Sequence, residues 1–482
     1  MFQNTIAFPR LQMLSREQCE RIHLASLEIL RRTGVRVYHE GALDLLRRTD
    51  AVITGDDRVC FPPGLVEWAL GQAPSRVVLC RRGSSEAVVR LEGREVYFGP
   101  GSDCPNYLDP RTGEHRLFTV ADVVDAIHVV DALPEMDFCM SMGIPSDSDW
   151  PSAYQHQFSL MVEHTTKPIV FVCDDRADCE AILGMAAAAA GGVDRLRLNP
   201  TLMLYSEPST PLKHSETATD KLLYMAREAL PIVHSPAPMM GGTAPVTLAG
   251  GMALGNAEVL SSLVLHQLQR PGAPFVYSSQ VHHIDMRDMI SVYGAPEYLL
   301  ARVMIAEMGR FYGLPTFGNA GMSDSCAMDE QAAMDAATSV LVALLAGTNL
   351  THDVGYLEAG MTTSPEMVVL TAEVISMMRR FQQGVELDAE SLALEVIHQV
   401  GPGGDFLSVD HTLEHFRDLW QPQLISRQRM DPWVSGGSKR LGERLRERTV
   451  EIIEGHEPEP LPDGVREEIA YILSNSADQA RT

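Results

Sequence analysis

Residues 314–354 read LPTFGNAGMSDSCAMDEQAAMDAATSVLVALLAGTNLTHDV, and this stretch decides the fold. A short β-rich run, Pro315 to Asn319, meets a turn of Gly, Ser and Asp. An alanine-rich helical segment follows, Asp329 to Ala346, and after Gly347 a second β-rich run begins, Asn349 to Val354. Parallel strands need a crossover between them, so strand, turn, helix, strand is the unit of a parallel sheet.

Outward from this stretch the same unit recurs roughly every 30 to 43 residues. The earlier runs are Val96 to Pro100, Asp137 to Ile144, Pro168 to Cys173, Thr201 to Ser206, Pro231 to His234 and Pro274 to Ser279. Helical stretches separate them: Val120 to Ala132, Ala153 to Glu163, Asp178 to Ala189, Ser215 to Glu228, Ala253 to Leu268 and Pro296 to Tyr312. Eight units in about 280 residues predict an α/β fold of the (β/α)8 TIM-barrel type. An open doubly wound sheet would show a glycine-rich phosphate turn after its first strand, and Gly99-Pro-Gly-Ser-Asp103 is not one. The three glycines of Gly250 to Gly255 open no nucleotide-binding unit either.

The barrel is expected over residues 95–362, with an N-terminal α/β extension at 1–94 and a C-terminal helical extension at 363–482. The latter holds helical stretches at Pro365 to Gln383 and Ala389 to Gln399, a glycine-rich hinge at Gly401 to Gly404, and a further helix at Lys439 to Gly455.

Composition bounds the function. Of 482 residues, 45% are hydrophobic and 21% charged, the balance of a globular chain. No uninterrupted apolar run reaches the roughly 18 to 20 residues of a membrane helix, and Met1 to Leu14 lacks the pattern of a signal peptide. A cytoplasmic protein is expected. The net charge of −25 repels phosphate backbones and attracts cations, so neither nucleic acid nor membrane is an expected partner. The 8 cysteines form no C-x-x-C pair and read mostly as buried apolar side chains.

In such a barrel the site lies where the strands end on their C-terminal side. That rule selects Tyr97, Phe98 and Asp103, then Tyr205 and Glu207, His234, the group Ser279, His282, His283, Asp285 and Arg287, then Asn319, Ser323 and Asp324, and finally His352, Asp353, Tyr356 and Glu358. Aromatic faces beside carboxylates suit an organic cation, at about 0.5 to 2 kcal/mol per face. Adjacent histidines on an extended run point to opposite sides, so His282-His283 supply one inward ligand at most, and no metal is expected.

Several segments together resemble the trimethylamine methyltransferase (MttB) family. They are Leu314 to Ser325 with Asp329 to Ala332, Ala346 to Gly360, His411-Thr-Leu-Glu-His-Phe-Arg417, the opening Leu11 to Leu14, and Tyr205-Ser-Glu-Pro208. The resemblance implies a (β/α)8 barrel that moves a methyl group from an amine to the Co(I) of a separate corrinoid protein, with cobalamin or corrinoid as acceptor and no metal of its own. The founding branch carries pyrrolysine after the seventh strand. Here Asn319 to Asp324 hold only ordinary residues, with Gly321 or Met322 standing near that place. This favours donors that are already quaternary, glycine betaine first, then carnitine and proline betaine.

On this resemblance His352 and Glu207 are the expected catalytic residues, and Tyr97, Phe98, Asp103, Tyr205, Asn319 and Tyr356 the expected amine contacts. His352, Met322, Ser323 and Asp324 are expected to face the corrinoid. Arg287, Asn319 or a histidine is expected at a betaine carboxylate. A homo-oligomer is expected. The competing readings are a zinc-dependent corrinoid methyltransferase for another methyl donor and a barrel that binds amines without turnover.

Overall fold

The computed structural model describes residues 6–148 and 152–480, so the first five residues of the expected N-terminal extension and the last two of the C-terminal one lie outside the described residues. Seven parallel strands form the wall: β1 (Tyr97–Phe98), β2 (Ile169–Phe171), β3 (Leu202–Ser206), β4 (Ile232–His234), β5 (Phe275–Val276), β6 (Phe317–Asn319) and β7 (Leu350–His352). Eight helices alternate with them and continue beyond: α1 (Val120–Ala132), α2 (Ala153–His164), α3 (Arg176–Ala190), α4 (Glu216–Glu228), α5 (Leu248–Gln269), α6 (Pro296–Tyr312), α7 (Glu330–Ala346) and α8 (Pro365–Gln383).

The strands pair in parallel as β2-β3-β4-β5 and as β6-β7-β1. Tyr277 bridges to Thr316 between the two sheets, and the Phe317 N–H donates to the Tyr277 carbonyl at 2.9 Å. On the far side Cys139 bridges to Ile169, and the Asp137 N–H donates to the Phe98 carbonyl at 2.6 Å. The expected run Asp137 to Ile144 is therefore a bridge and not a strand. Its backbone turns at Met142, which adopts φ +62°, a left-handed conformation that extended structure does not tolerate.

The helices form where their ends are capped. Asp329 accepts the Ala332 N–H at 3.0 Å to open α7, and Gly347 at φ +73° closes it. Helix α5 begins five residues before the expected start, because Gly250 and Gly251 continue the helix rather than break it. It is long and apolar enough to cross a membrane by length and composition, yet 78% of its most apolar window is buried within the protein. The N-terminal helices Arg16–Glu28 and Pro63–Gln72 pack on it. Farther along the chain, the expected helix Ala389 to Gln399 is broken into Ala389–Leu392 and Leu394–Val400 by Ala393 at φ +48°.

Inside the wall, Val170, Met203, Val233, Val276, Phe317 and Leu350 meet Phe138 and Met140 in one apolar core. The hairpin Val77–Cys80 and Ala87–Leu91 contributes Val77, Leu79, Val89 and Leu91 to it. The Cys80 N–H donates to the Pro200 carbonyl, just before β3 begins, so this hairpin stoppers the end where the strands start. Filling that end leaves the opposite mouth for chemistry.

Candidate active site

At the C-terminal ends of the strands lies a cavity of about 300 Å³, lined by Ser102, Asp103, Tyr205, Glu207, Ala237, Gln280, His282, Ser291, Tyr293, Tyr298, Asn319, His352, Asp353, Tyr356 and Gly360. Its size sits at the small end of ligand cavities. Four tyrosines and three carboxylates face it, and none of the lining residues is lysine or arginine.

His352 ends β7 and forms the floor. Its ring stacks on Phe317 at 4.3 Å between centroids, and Tyr205 lies 5.5 Å from both rings. Asn319 Nδ2 stands 2.9 Å from His352 Nε2, and Gln280 Nε2 stands 3.3 Å from the same atom. The orientation of both amides follows from Arg302, buried on α6. Its guanidinium can only donate, and it donates to Asn319 Oδ1 at 2.6 Å and to Gln280 Oε1. Both amide oxygens thus turn toward Arg302 and both amide N–H groups toward His352. That makes His352 Nε2 an acceptor and puts the ring proton on Nδ1, 2.8 Å from Asp353 Oδ1 but without hydrogen-bond alignment. Asp353 also accepts from Asn319 Nδ2 at 2.5 Å.

Arg302 is held in turn by the Val281 carbonyl at 2.5 Å and lies 4.4 Å over the Tyr298 ring. Sequence reasoning missed Arg302, Gln280, Tyr293 and Tyr298. Arg302 gives no local signal, because its partners come from other segments of the chain.

Across the cavity Glu207 accepts a hydrogen bond from the Tyr205 hydroxyl. Protein surrounds Glu207 and Asp103 on nearly every side, yet both open to cavity solvent. This confinement pushes both carboxyls above the usual carboxylate range, Glu207 against the lowering pull of Tyr205 and Asp103 against that of Ser102. Asp103 and Asp353 adopt left-handed backbone, φ +69° and +72°. Such strain in two non-glycine residues of one cavity is typical of functional sites.

Glycine is required beside them. A Cβ on Gly101 would stand 2.4 Å from Tyr356 Oη and 2.5 Å from Asp353 Oδ1. The Tyr356 hydroxyl donates to the Ser102 carbonyl at 2.5 Å, which fixes that ring at the wall.

Of the residues selected from sequence, the cavity gathers Asp103, Tyr205, Glu207, His282, Asn319, His352, Asp353 and Tyr356. It does not gather the others. Tyr97 packs into the barrel core and Phe98 into the core beneath the helices, because β1 presents these side chains below the mouth. Met322 is buried with Cys104, Tyr298 and Tyr356. Ser323 Oγ donates to Asp335 Oδ2 at 2.7 Å, an internal bond. Asp324 accepts the Tyr293 and Gly294 N–H groups at 2.8 and 2.7 Å, and so holds Tyr293 in the wall from behind. Arg287 is exposed at the turn of the hairpin His282–Asp285 and Ile290–Val292, which overhangs the mouth through His282, Ser291 and Tyr293.

His411 and His415 stand four residues apart, and Glu390 joins them away from the cavity; one ligand atom from each lies within 4.8 Å of the others. The spacing H-x-x-x-H was the available signal.

The family model described as Trimethylamine methyltransferase (MTTB) matches residues 2–479. The chain is 32% identical over 466 residues to trimethylamine methyltransferase MttB of Desulfitobacterium hafniense, covering 96% of this chain and 94% of that protein. It is 30% identical over 431 residues to a glycine betaine methyltransferase from another strain of that organism, covering 88% of this chain and 89% of that protein. The fold is similar to the crystal structure of the Methanosarcina barkeri monomethylamine methyltransferase, MtmB, with a TM-score of 0.54 and 13% identity over 98% of this chain and 88% of that one.

Proposed function

Because the chain belongs to the trimethylamine methyltransferase (MTTB) family, we propose that it moves a methyl group from a small quaternary amine to the Co(I) of a corrinoid protein. The observation that carries this reading is a cavity walled by Tyr205, Tyr293, Tyr298 and Tyr356, with Asp103, Glu207 and Asp353 and no lining lysine or arginine. Such a cavity recruits a cation and shields it from water.

The bound corrinoid would supply the cobalt nucleophile. The C–N bond breaks with its electron pair passing to nitrogen, so the amine leaves neutral and no side chain has to donate a proton. What the chain must do is orient one methyl toward the mouth, hold the cation, and keep water out. The tyrosine faces and carboxylates hold the ammonium group, with Glu207 balancing its charge. His352, set by Asn319 and Gln280, fixes the floor against which the amine rests.

Glycine betaine fits as donor. Its ammonium matches the tyrosine faces and the carboxylates of the cavity. Similarity to a glycine betaine methyltransferase supports the same donor. The residues present fit a corrinoid that approaches from outside. A cavity of about 300 Å³ takes a small amine and leaves no room beside it for a macrocycle. Met322, Ser323 and Asp324 are turned away from the cavity, and the rim instead exposes Met286, Met289 and Ile290 on the overhanging hairpin. Exposed apolar side chains at a mouth suit protein docking.

This reading includes closure of the eight-unit barrel through the bridge at Cys139, division of the chain at residues 94 and 362, a homo-oligomeric state and a cytoplasmic location. It is tested by incubating the protein with a corrinoid protein in the Co(I) state and glycine betaine deuterated in its methyl groups. Dimethylglycine carrying the remaining label supports the reading. Binding of glycine betaine and its relatives without any demethylated product contradicts it in favour of an amine-binding barrel.

A further inference from the structure

Between residues 376 and 444 no side chain is buried, although the chain is folded into helices there. The helices Ala389–Leu392, Leu394–Val400 and Asp410–His415 contain no buried residue, and Leu392, Leu394, Ile397, Phe406, Leu407 and Leu413 are all at least 45% exposed. A segment without a core keeps its shape only if something else ties it, and metal ions or disulfides are the usual ties. Cysteine is absent from this stretch.

Three side chains converge there. Glu390 comes from the helix Ala389–Leu392, and His411 and His415 from one side of the helix Asp410–His415, where residues four apart are neighbours. The two imidazole centroids are 4.5 Å apart. His415 Nδ1 donates to Asp418 Oδ2 at 2.8 Å, and Nε2 faces Glu390 Oε1 at 3.5 Å, the two atoms that an ion between them would join. A carboxylate on the outer nitrogen is how metal-binding imidazoles are oriented. His411 Nε2 is shielded from solvent and has no hydrogen-bond partner. A buried nitrogen left unpaired beside two other ligand atoms is the second, independent sign of an absent ligand.

We propose that Glu390, His411 and His415 bind a divalent transition ion of the zinc class, which ties residues 390 and 411 together across the glycine-rich loop Gly401–Gly404. Two imidazoles and one carboxylate are a donor set that such ions favour over magnesium or calcium, with a fourth position left to water. Closing the loop by metal stabilises a segment that has no apolar core. None of the three ligands lines the barrel cavity, so the site stands apart from the methyl-transfer reading and survives its failure.

The test uses the full-length chain without an affinity tag, stripped with a chelator and titrated with Zn²⁺ by calorimetry. One ion per chain is expected to bind. His411→Ala and His415→Ala are each expected to weaken binding at least about 100-fold, and Asp418→Asn about 10- to 100-fold through the lost orientation of His415. Hydrogen exchange across residues 384–420 should slow with Zn²⁺ in the parent chain and not in His411→Ala. Glu390 is exposed and the two histidines are half-buried, so an unchanged thermal transition of the metal-free variants shows that folding is intact. Absence of saturable binding overturns the proposal. Binding of equal affinity in the parent and His411→Ala also overturns it, since other residues would then hold the ion.

Discussion

Asn319 presents its amide nitrogen to His352 Nε2 at 2.9 Å, and it does so because Arg302 occupies its oxygen at 2.6 Å. A cation buried on a helix thereby sets the tautomer of an imidazole that it does not touch. Asn319→Ala is expected to lower the rate of methyl transfer about 100-fold through misplacement of the floor. The KM for the amine should change much less, because the ammonium contacts lie on other elements. Nitrogen NMR of the His352 imidazole should show the proton distribution between Nδ1 and Nε2 altered in the variant, a signature that simple loss of folding would not give.

Glu207 and Asp103 carry carboxyls held above the usual range by confinement. For an acid whose folded pKa is raised, the folded chain keeps its proton at pH values where the unfolded chain has lost it. Stability from these groups therefore falls as pH rises through that window, and a bound cation offsets the loss. Amine binding requires the ionised forms, so the KM is expected to rise as pH drops through the window above the ordinary carboxylate range. Glu207→Gln should raise the KM about tenfold at neutral pH and flatten the pH profile. Initial rates across a pH series check both.

Gly101 is expected to tolerate no side chain. In Gly101→Ala the new Cβ would collide with Tyr356 Oη and Asp353 Oδ1. The expected cost is about 1 to 3 kcal/mol of stability, because the overlap must move cavity groups that are already hydrogen-bonded. Methyl transfer should be lost in a chain that still folds. Thermal melting paired with a rate measurement separates the two effects.

The parts legible in the sequence are those set by local chemistry. Helix α1, helix α6 and helix α8 have the bounds that the pattern predicts, since Thr119, Pro296 with Gly313, and Ser364 with Gly384 mark their ends. The strand-end rule selects His352, Asn319, Tyr205 and Glu207, which the fold then gathers in one cavity. What was not legible depends on which way a side chain turns. Tyr97 and Phe98 occupy a strand end by number, yet β1 is only two residues long and both side chains enter apolar cores. Arg302 and Tyr298 lie on a helix, outside the reach of a rule about strand ends. The left-handed turn falls on Met142 and not on the neighbouring Gly143, so the glycine does not mark the position that bends.

Met289 on the overhanging hairpin is 67% exposed beside Ile290 at 53%. Met289→Lys is expected to slow transfer to a corrinoid protein several-fold or more, since a charge at the centre of an apolar docking surface is poorly tolerated. Transfer to free cob(I)alamin should be unchanged, because the amine cavity is untouched. Equal slowing with both acceptors would place the effect in the cavity instead of the rim.

The measurement that bears most directly on the central claim is spectral. Purified protein is mixed with chemically reduced cob(I)alamin and, one at a time, glycine betaine, carnitine, proline betaine and trimethylamine. The account predicts conversion to methylcob(III)alamin with a quaternary amine, glycine betaine first, and none with trimethylamine. Conversion with trimethylamine alone, or no conversion with any of the four when the corrinoid protein is also supplied as acceptor, would contradict it.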